Sequence, residues 1–156
     1  MKRSDFFYIW VAIISYITGP MVYVFTLRTI YGETSNNMGP LITWTVPTFF
    51  TVDILLYLLC VILLRSINRY YFWLQTLAFV FLSIIPVYIV LLMAGFFINR
   101  ADSFLLSEEG LLFLSFFSSI AIVASYGTWI AQKHLSKRPF YIVSVMILGL
   151  CMSLYI

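Results

Sequence analysis

Charge is scarce in this chain. Lysine, arginine, aspartate and glutamate make up 10% of its 156 residues, against about 25% in an ordinary soluble domain, while 63% are hydrophobic. A soluble domain of that length could not hide so much apolar surface, so lipid is the expected solvent. Histidine occurs once, at His134, and cysteine twice, at Cys60 and Cys151. A lone imidazole offers no metal-ligand spacing, and the two thiols fall at different expected depths, so both read as small packing residues. The alternating ten-residue strands of a membrane barrel are missing, as are phosphate-cradling glycine loops, nucleophile motifs and paired carboxylates at one depth. The chain is therefore read as non-enzymatic, with no cofactor and no metal.

What is present is long uncharged runs, at 6–27, 54–64, 70–99, 110–132 and 139–156. Four approach or exceed the roughly 18 residues of a membrane helix, and the remaining one does so if Asp53 is taken inside it. The expected helices are Phe6–Thr26, Leu41–Leu64, Tyr71–Ile98, Gly110–Ala131 and Pro139–Ile156. Helices satisfy their own backbone hydrogen bonds, which the bilayer core cannot do for them. The opening "MKRSDFFYIWVAIISYITGPMVYVFT" has the basic start of a signal peptide but a longer apolar run and no small-residue cleavage site, so it reads as a retained first helix. The connecting loops are short, and no separate soluble domain is expected.

The positive residues alternate between the two ends of these helices. Lys2, Arg3, Arg65, Arg69, Lys133, Lys137 and Arg138 fall on one side, and Arg28 and Arg100 on the other. Short loops rich in Lys and Arg stay in the cytoplasm during insertion. The expected fold is thus all-α: a polytopic integral membrane protein, a compact bundle of five transmembrane helices with the N-terminus cytoplasmic and the C-terminus outside. The net charge of +3 is an orientation signal and an attraction to anionic headgroups, with no bearing on nucleic acid. So sharp a bias suits a bacterial inner membrane.

One carboxylate interrupts the pattern. In "PTFFTVDILLYLLC", Asp53 stands near the middle of the second helix, where an acid costs roughly 2.5–3.5 kcal/mol on insertion scales. Helical spacing puts Tyr57 and Cys60 on its face, with Phe49 and Phe50 one turn above, so this stripe is expected to turn inward. On the fourth helix Ser115, Ser118, Ala121, Ser125 and Thr128, followed by Gln132, recur every three or four residues. That is a small, weakly polar packing face whose hydroxyls are candidate donors to Asp53. Thr76 and Ser83 share a face of the third helix, and Gly149 and Ser153 form a small-x-x-x-small pair on the fifth. Pro20, Pro47 and Pro86 lie inside the first three helices, where each removes a backbone hydrogen bond.

Glu108 and Glu109 followed by His134 resemble in order the residues of intramembrane metalloprotease-like families. The resemblance stops at the order, because the intervening helix carries His134 about 37 Å away, to the opposite membrane face. Two functional expectations remain. The first is association with another membrane component, as a regulatory, accessory or immunity-type partner or a homo-oligomer. The second is a small proton- or cation-coupled transporter or channel subunit that uses Asp53.

Overall fold

The computed structural model describes residues 3–32, 38–67, 70–93 and 107–155. Among the described residues all regular structure is helical. In chain order the elements are α1 (Arg3–Ile30), α2 (Gly39–Thr48), a π-helical segment (Phe49–Asp53), α3 (Ile54–Ser66), α4 (Phe72–Leu82), α5 (Ile84–Met93), α6 (Glu108–Gln132) and α7 (Arg138–Tyr155). Four stretches are long and apolar enough to cross a membrane: Phe6–Ile30, Gly39–Ser66, Phe72–Val90 and Glu108–Gln132. They contain the first, second and fourth expected spans. The last residues expected for the third span, 94–98, lie outside the described residues, as do Ile156 and the charges Lys2, Arg69 and Arg100. The fifth expected helix forms as α7, with a shorter apolar stretch, Arg138–Leu154.

The three prolines have three different outcomes. At Pro20 the helix runs on as one element from Arg3 to Ile30. Pro47 is followed two residues later by the π segment, in which the backbone N–H of Ile54 reaches the carbonyl of Phe49, five residues back. Pro86 coincides with a break. Its ring crowds the carbonyl four residues earlier, at Leu82, and the helix parts at Ser83, between α4 and α5. Ser83 closes that break itself: its N–H is shared between the carbonyls of Phe79 and Val80, and its hydroxyl donates to Val80 at 2.6 Å.

α6 is the central helix. α1 packs along its length, α4 and α5 lie on another side, and α7 rests mainly on α1. Glycine makes the α1–α6 approach close. A Cβ on Gly19 would stand 2.8 Å from Ile120 Cδ1, and one on Gly127 would stand 2.5 Å from Val11 Cγ1 and 2.9 Å from Phe140 Cε2. Two buried clusters follow. One joins Phe7, Val11 and Ile14 of α1 with Ile130 of α6 and Phe140 and Ile147 of α7. The other joins Phe49, Tyr57, Phe79 and Val87 with Phe116, Phe117, Ile120 and Ala121 of α6. Outward residues such as Leu55, Leu63, Trp73, Phe81 and Val145 are apolar and more than half exposed, as a lipid-facing surface requires.

Candidate functional site

The site begins with the π segment. A π turn inserts an extra residue and shifts the side-chain phase that follows by roughly 100°. Phe49 and Asp53 are both inward, 1% and 0% exposed, whereas Phe50 is 46% exposed. The inward stripe is thus Phe49, Asp53, Tyr57, Cys60 and Val61, and the expected pairing of Phe49 with Phe50 above Asp53 is split by the π turn. The segment packs against α5, with Val87 and Val90 inward, and against Tyr16 of α1, whose ring meets Phe49 and Phe50 and whose hydroxyl pairs with Thr45. Among the described residues nothing donates to either carboxyl oxygen of Asp53.

Tyr57, one turn on, is 6% exposed. Its ring stacks on Phe79 of α4, with centroids 4.3 Å apart and planes 7° from parallel. Its hydroxyl is buried, close enough to Asp53 for the two to interact electrostatically, and has no hydrogen-bond partner among the described residues. Buried polar groups in proteins are overwhelmingly paired, so two adjacent orphans are the most unusual feature of this core.

The hydroxyls of α6 are spoken for elsewhere. Ser118 meets Ser83 at 3.3 Å, and Ser125 meets Thr76 at 2.8 Å. Because Ser83 and Thr76 each donate to a carbonyl of their own helix, the α6 serines are the donors in both pairs. Gln75 completes the seam, its Nε2 donating to the Ser125 carbonyl at 3.1 Å while its Oε1 stays unpaired. Ser115 bonds back to Leu112, and Ala121 is wholly buried in the larger cluster. Of the face read from the sequence, Ser118 and Ser125 meet the third span, and their hydroxyls are directed at Ser83 and Thr76 and leave Asp53 alone. Gln75 had no periodic signal to distinguish it from its apolar neighbours, although an amide in an otherwise apolar helix was a clue.

Thr128 and Gln132, at the lower end of that face, open onto a groove instead. It has a volume of about 600 Å³, with α1 on one wall, the π segment and α3 on the other, and Ala124, Thr128 and Gln132 of α6 along its floor. Tyr57 lines it, as do Phe49, Phe50 and Ile54, and Asp53 does not. Most of the lining is apolar. The end near the α3 and α6 C-termini is polar, where Gln132 Nε2 donates to the Tyr8 hydroxyl at 3.0 Å and Arg65 closes the wall. Beside it Tyr70 has two cations over its ring, with Arg65 Cζ and Lys133 Nζ each 5.5 Å from the ring centre. Burial pushes the Tyr70 hydroxyl up to about 12, against the opposing pull of Arg65.

The remaining sequence candidates sit apart. Glu108 and Glu109 open α6, where Ser107 caps the helix by accepting from the Gly110 N–H at 3.2 Å and acids complement the helix dipole. His134 is exposed in the turn beyond the other end of α6, with a left-handed φ of 52°. Cys60 and Cys151 are both free thiols. The chain matches no protein-family model, and neither a curated protein nor a solved structure shows detectable similarity to it.

Proposed function

We propose that the chain is a small multi-pass protein of a cell membrane whose activity is coupled to a proton or a monovalent cation through Asp53. The reading takes α7 as a fifth crossing and places the N-terminus in the cytoplasm, on the distribution of Lys and Arg; so sharp a bias suits a bacterial inner membrane. It invokes no enzymatic centre, no cofactor and no nucleic acid. The observation that carries it is the fully buried carboxyl at the end of a π turn, without a donor from any described residue. Intramembrane acids commonly mark ion pathways, and π turns recur at functional sites. Tyr57, one turn from Asp53 and with its own hydroxyl lacking a partner among the described residues, is the natural second member of that site.

The test is flux in vesicles. The wild-type chain, reconstituted in liposomes, dissipates an imposed proton or monovalent-cation gradient, and Asp53→Asn stops that flux while melting at the same temperature. Equal flux in the two proteins removes the acid from the mechanism.

A second reading, association with a membrane-protein partner or a second copy in a regulatory, accessory or immunity-type role, has its own observation. Gly149 and Ser153 form their small-x-x-x-small pair on an exposed side of α7, and a Cβ on Gly149 would meet nothing within 4 Å. Such pairs let a second helix approach closely. Under this reading Gly149→Leu releases whatever co-purifies with the extracted chain, and an unchanged mass in native mass measurements argues against it.

A further inference from the structure

The groove is built like a lipid site. From Phe50 to Arg65 it follows a rise of about 22 Å at 1.5 Å per residue. That exceeds the roughly 15 Å half-thickness of a bilayer's hydrocarbon core, so one acyl chain of one leaflet can lie along it. Its volume of about 600 Å³ lies within the range of ligand sites. Ile9, Ile13, Leu58 and Ile62 form its apolar walls.

The chemistry changes at one end only. Arg65 has no ion-pair partner among the described residues, and Lys133 adds a second cation over the same Tyr70 ring. The only carboxylates on α6, Glu108 and Glu109, stand at the opposite end of that helix. Gln132 donates to the oxygen of Tyr8, which leaves the Tyr8 hydroxyl proton free to donate onward. The guanidinium, the phenol and the nearby ammonium therefore present donors and positive charge with no described carboxylate paired to them, at the level where a headgroup would sit.

We infer that the groove binds one anionic phospholipid from the leaflet at its Arg65 end, with an acyl chain along the trough between α1 and α3 and the phosphate at Arg65 and Tyr8. The assignment is independent of any coupling at Asp53. It accounts for why α3 stands away from α1 beside the floor formed by Ala124 and Thr128, since in lipid a trough of this shape is filled by an acyl chain.

Native mass spectrometry of the full chain in mild detergent, with equal amounts of phosphatidylglycerol and phosphatidylcholine added, tests the inference. One phosphatidylglycerol per chain is retained in preference. Arg65→Gln lowers that preference about five-fold, and Arg65→Lys keeps most of it. Leu58→Trp, which narrows the trough, reduces retention of both lipids, whereas Leu63→Trp, on the same helix but outside the groove, changes neither. Equal retention of the two lipids by the wild type, an unchanged preference in Arg65→Gln, or equal losses in the two tryptophan variants overturns the inference. So does a lipid-free dimer, which would place a second chain in the trough. Circular dichroism accompanies each variant, and if Leu58→Trp loses its helicity the lipid preference of Arg65→Gln decides alone.

Discussion

The two flanks of α6 are built on different terms. Toward α1 and α7, glycines at positions 19 and 127 bring backbones close, Phe7 and Phe140 meet edge to face at 5.5 Å, and Trp10 donates to Ser144, which in turn donates to the Phe140 carbonyl. Toward the π segment and α3 the helices part around a groove, and Asp53 and Tyr57 keep unpaired polar atoms. Lipid tails are as apolar as leucine, so burial alone does not press membrane helices together; close van der Waals approach and hydrogen bonds do. The flank that has small residues closes. The other, walled by Leu58, Ile62 and a π turn, does not, and there a carboxyl is left without a partner among the described residues.

The contrast breaks most readily at Gly127. Its Cβ would fall on Val11, a stiff branched side chain only 4% exposed, so Gly127→Leu has no room to relax and costs about 3 kcal/mol, the upper end for overpacking. Gly19→Ala is the milder change. Its Cβ meets Ile120 Cδ1 at 2.8 Å and the ring edge of Phe116 at 2.9 Å, both fully buried, and the gain of roughly 1 kcal/mol in helix propensity offsets only part of the crowding. Thermal unfolding in detergent should show a large loss for the first and a smaller one for the second. Comparable losses would mean that the seam is uniformly tight.

On the open flank the same measurement should move the other way. Asp53→Leu removes a carboxyl that no described donor reaches, and relief of part of a desolvation cost of about 1–3 kcal/mol should raise the melting temperature. The gain would accompany loss of any ion-coupled activity, the expected trade at a functional site. Destabilisation instead would show that Asp53 holds helices together.

Smaller still is the polar seam between α6 and α4. Thr76→Val and Ser125→Ala, alone and together, should give a coupling of about 0.6 kcal/mol, the ordinary value for hydrogen bonds between membrane helices. A coupling near zero would leave Gln75, bonded to the Ser125 carbonyl, as the main polar tie on that side.

Much of this arrangement was legible in the residues. The all-helical class and the positions of four apolar spans follow from where charges are excluded, because a bilayer forces that exclusion on any chain that crosses it. The small-residue stripe on α6 was legible too, as was the inward turn of Asp53 and Tyr57. What each inward group touches was not. Periodicity fixes the face of one helix but carries no rotation between two, so the partnership of Ser118 and Ser125 with the third span, rather than with Asp53, needed coordinates. The π turn was equally hidden. Pro47 marks a place where the backbone pattern can change, yet Pro20 sits in an uninterrupted helix, so proline alone does not say which way the backbone will adjust. The groove arises from the divergence of α1 and α3, a property of the pair that neither segment encodes alone.

The smallest effect belongs to Tyr70, at the polar end of the groove. Its hydroxyl is buried without a partner among the described residues, and burial carries its ionisation from the ordinary value near 10 up to about 12. A raised value in the folded chain means that the folded state holds its proton more tightly than the unfolded one. The associated stability is therefore complete below about pH 10 and declines as pH rises toward about 12. The ring is partly exposed and flanked by Arg65 and Lys133, so screening keeps the loss small. A difference titration of tyrosinate absorbance between wild type and Tyr70→Phe should place the missing step well above pH 10. A step at the ordinary value would show that water reaches the hydroxyl freely, and that the polar end of the groove is as open as its mouth.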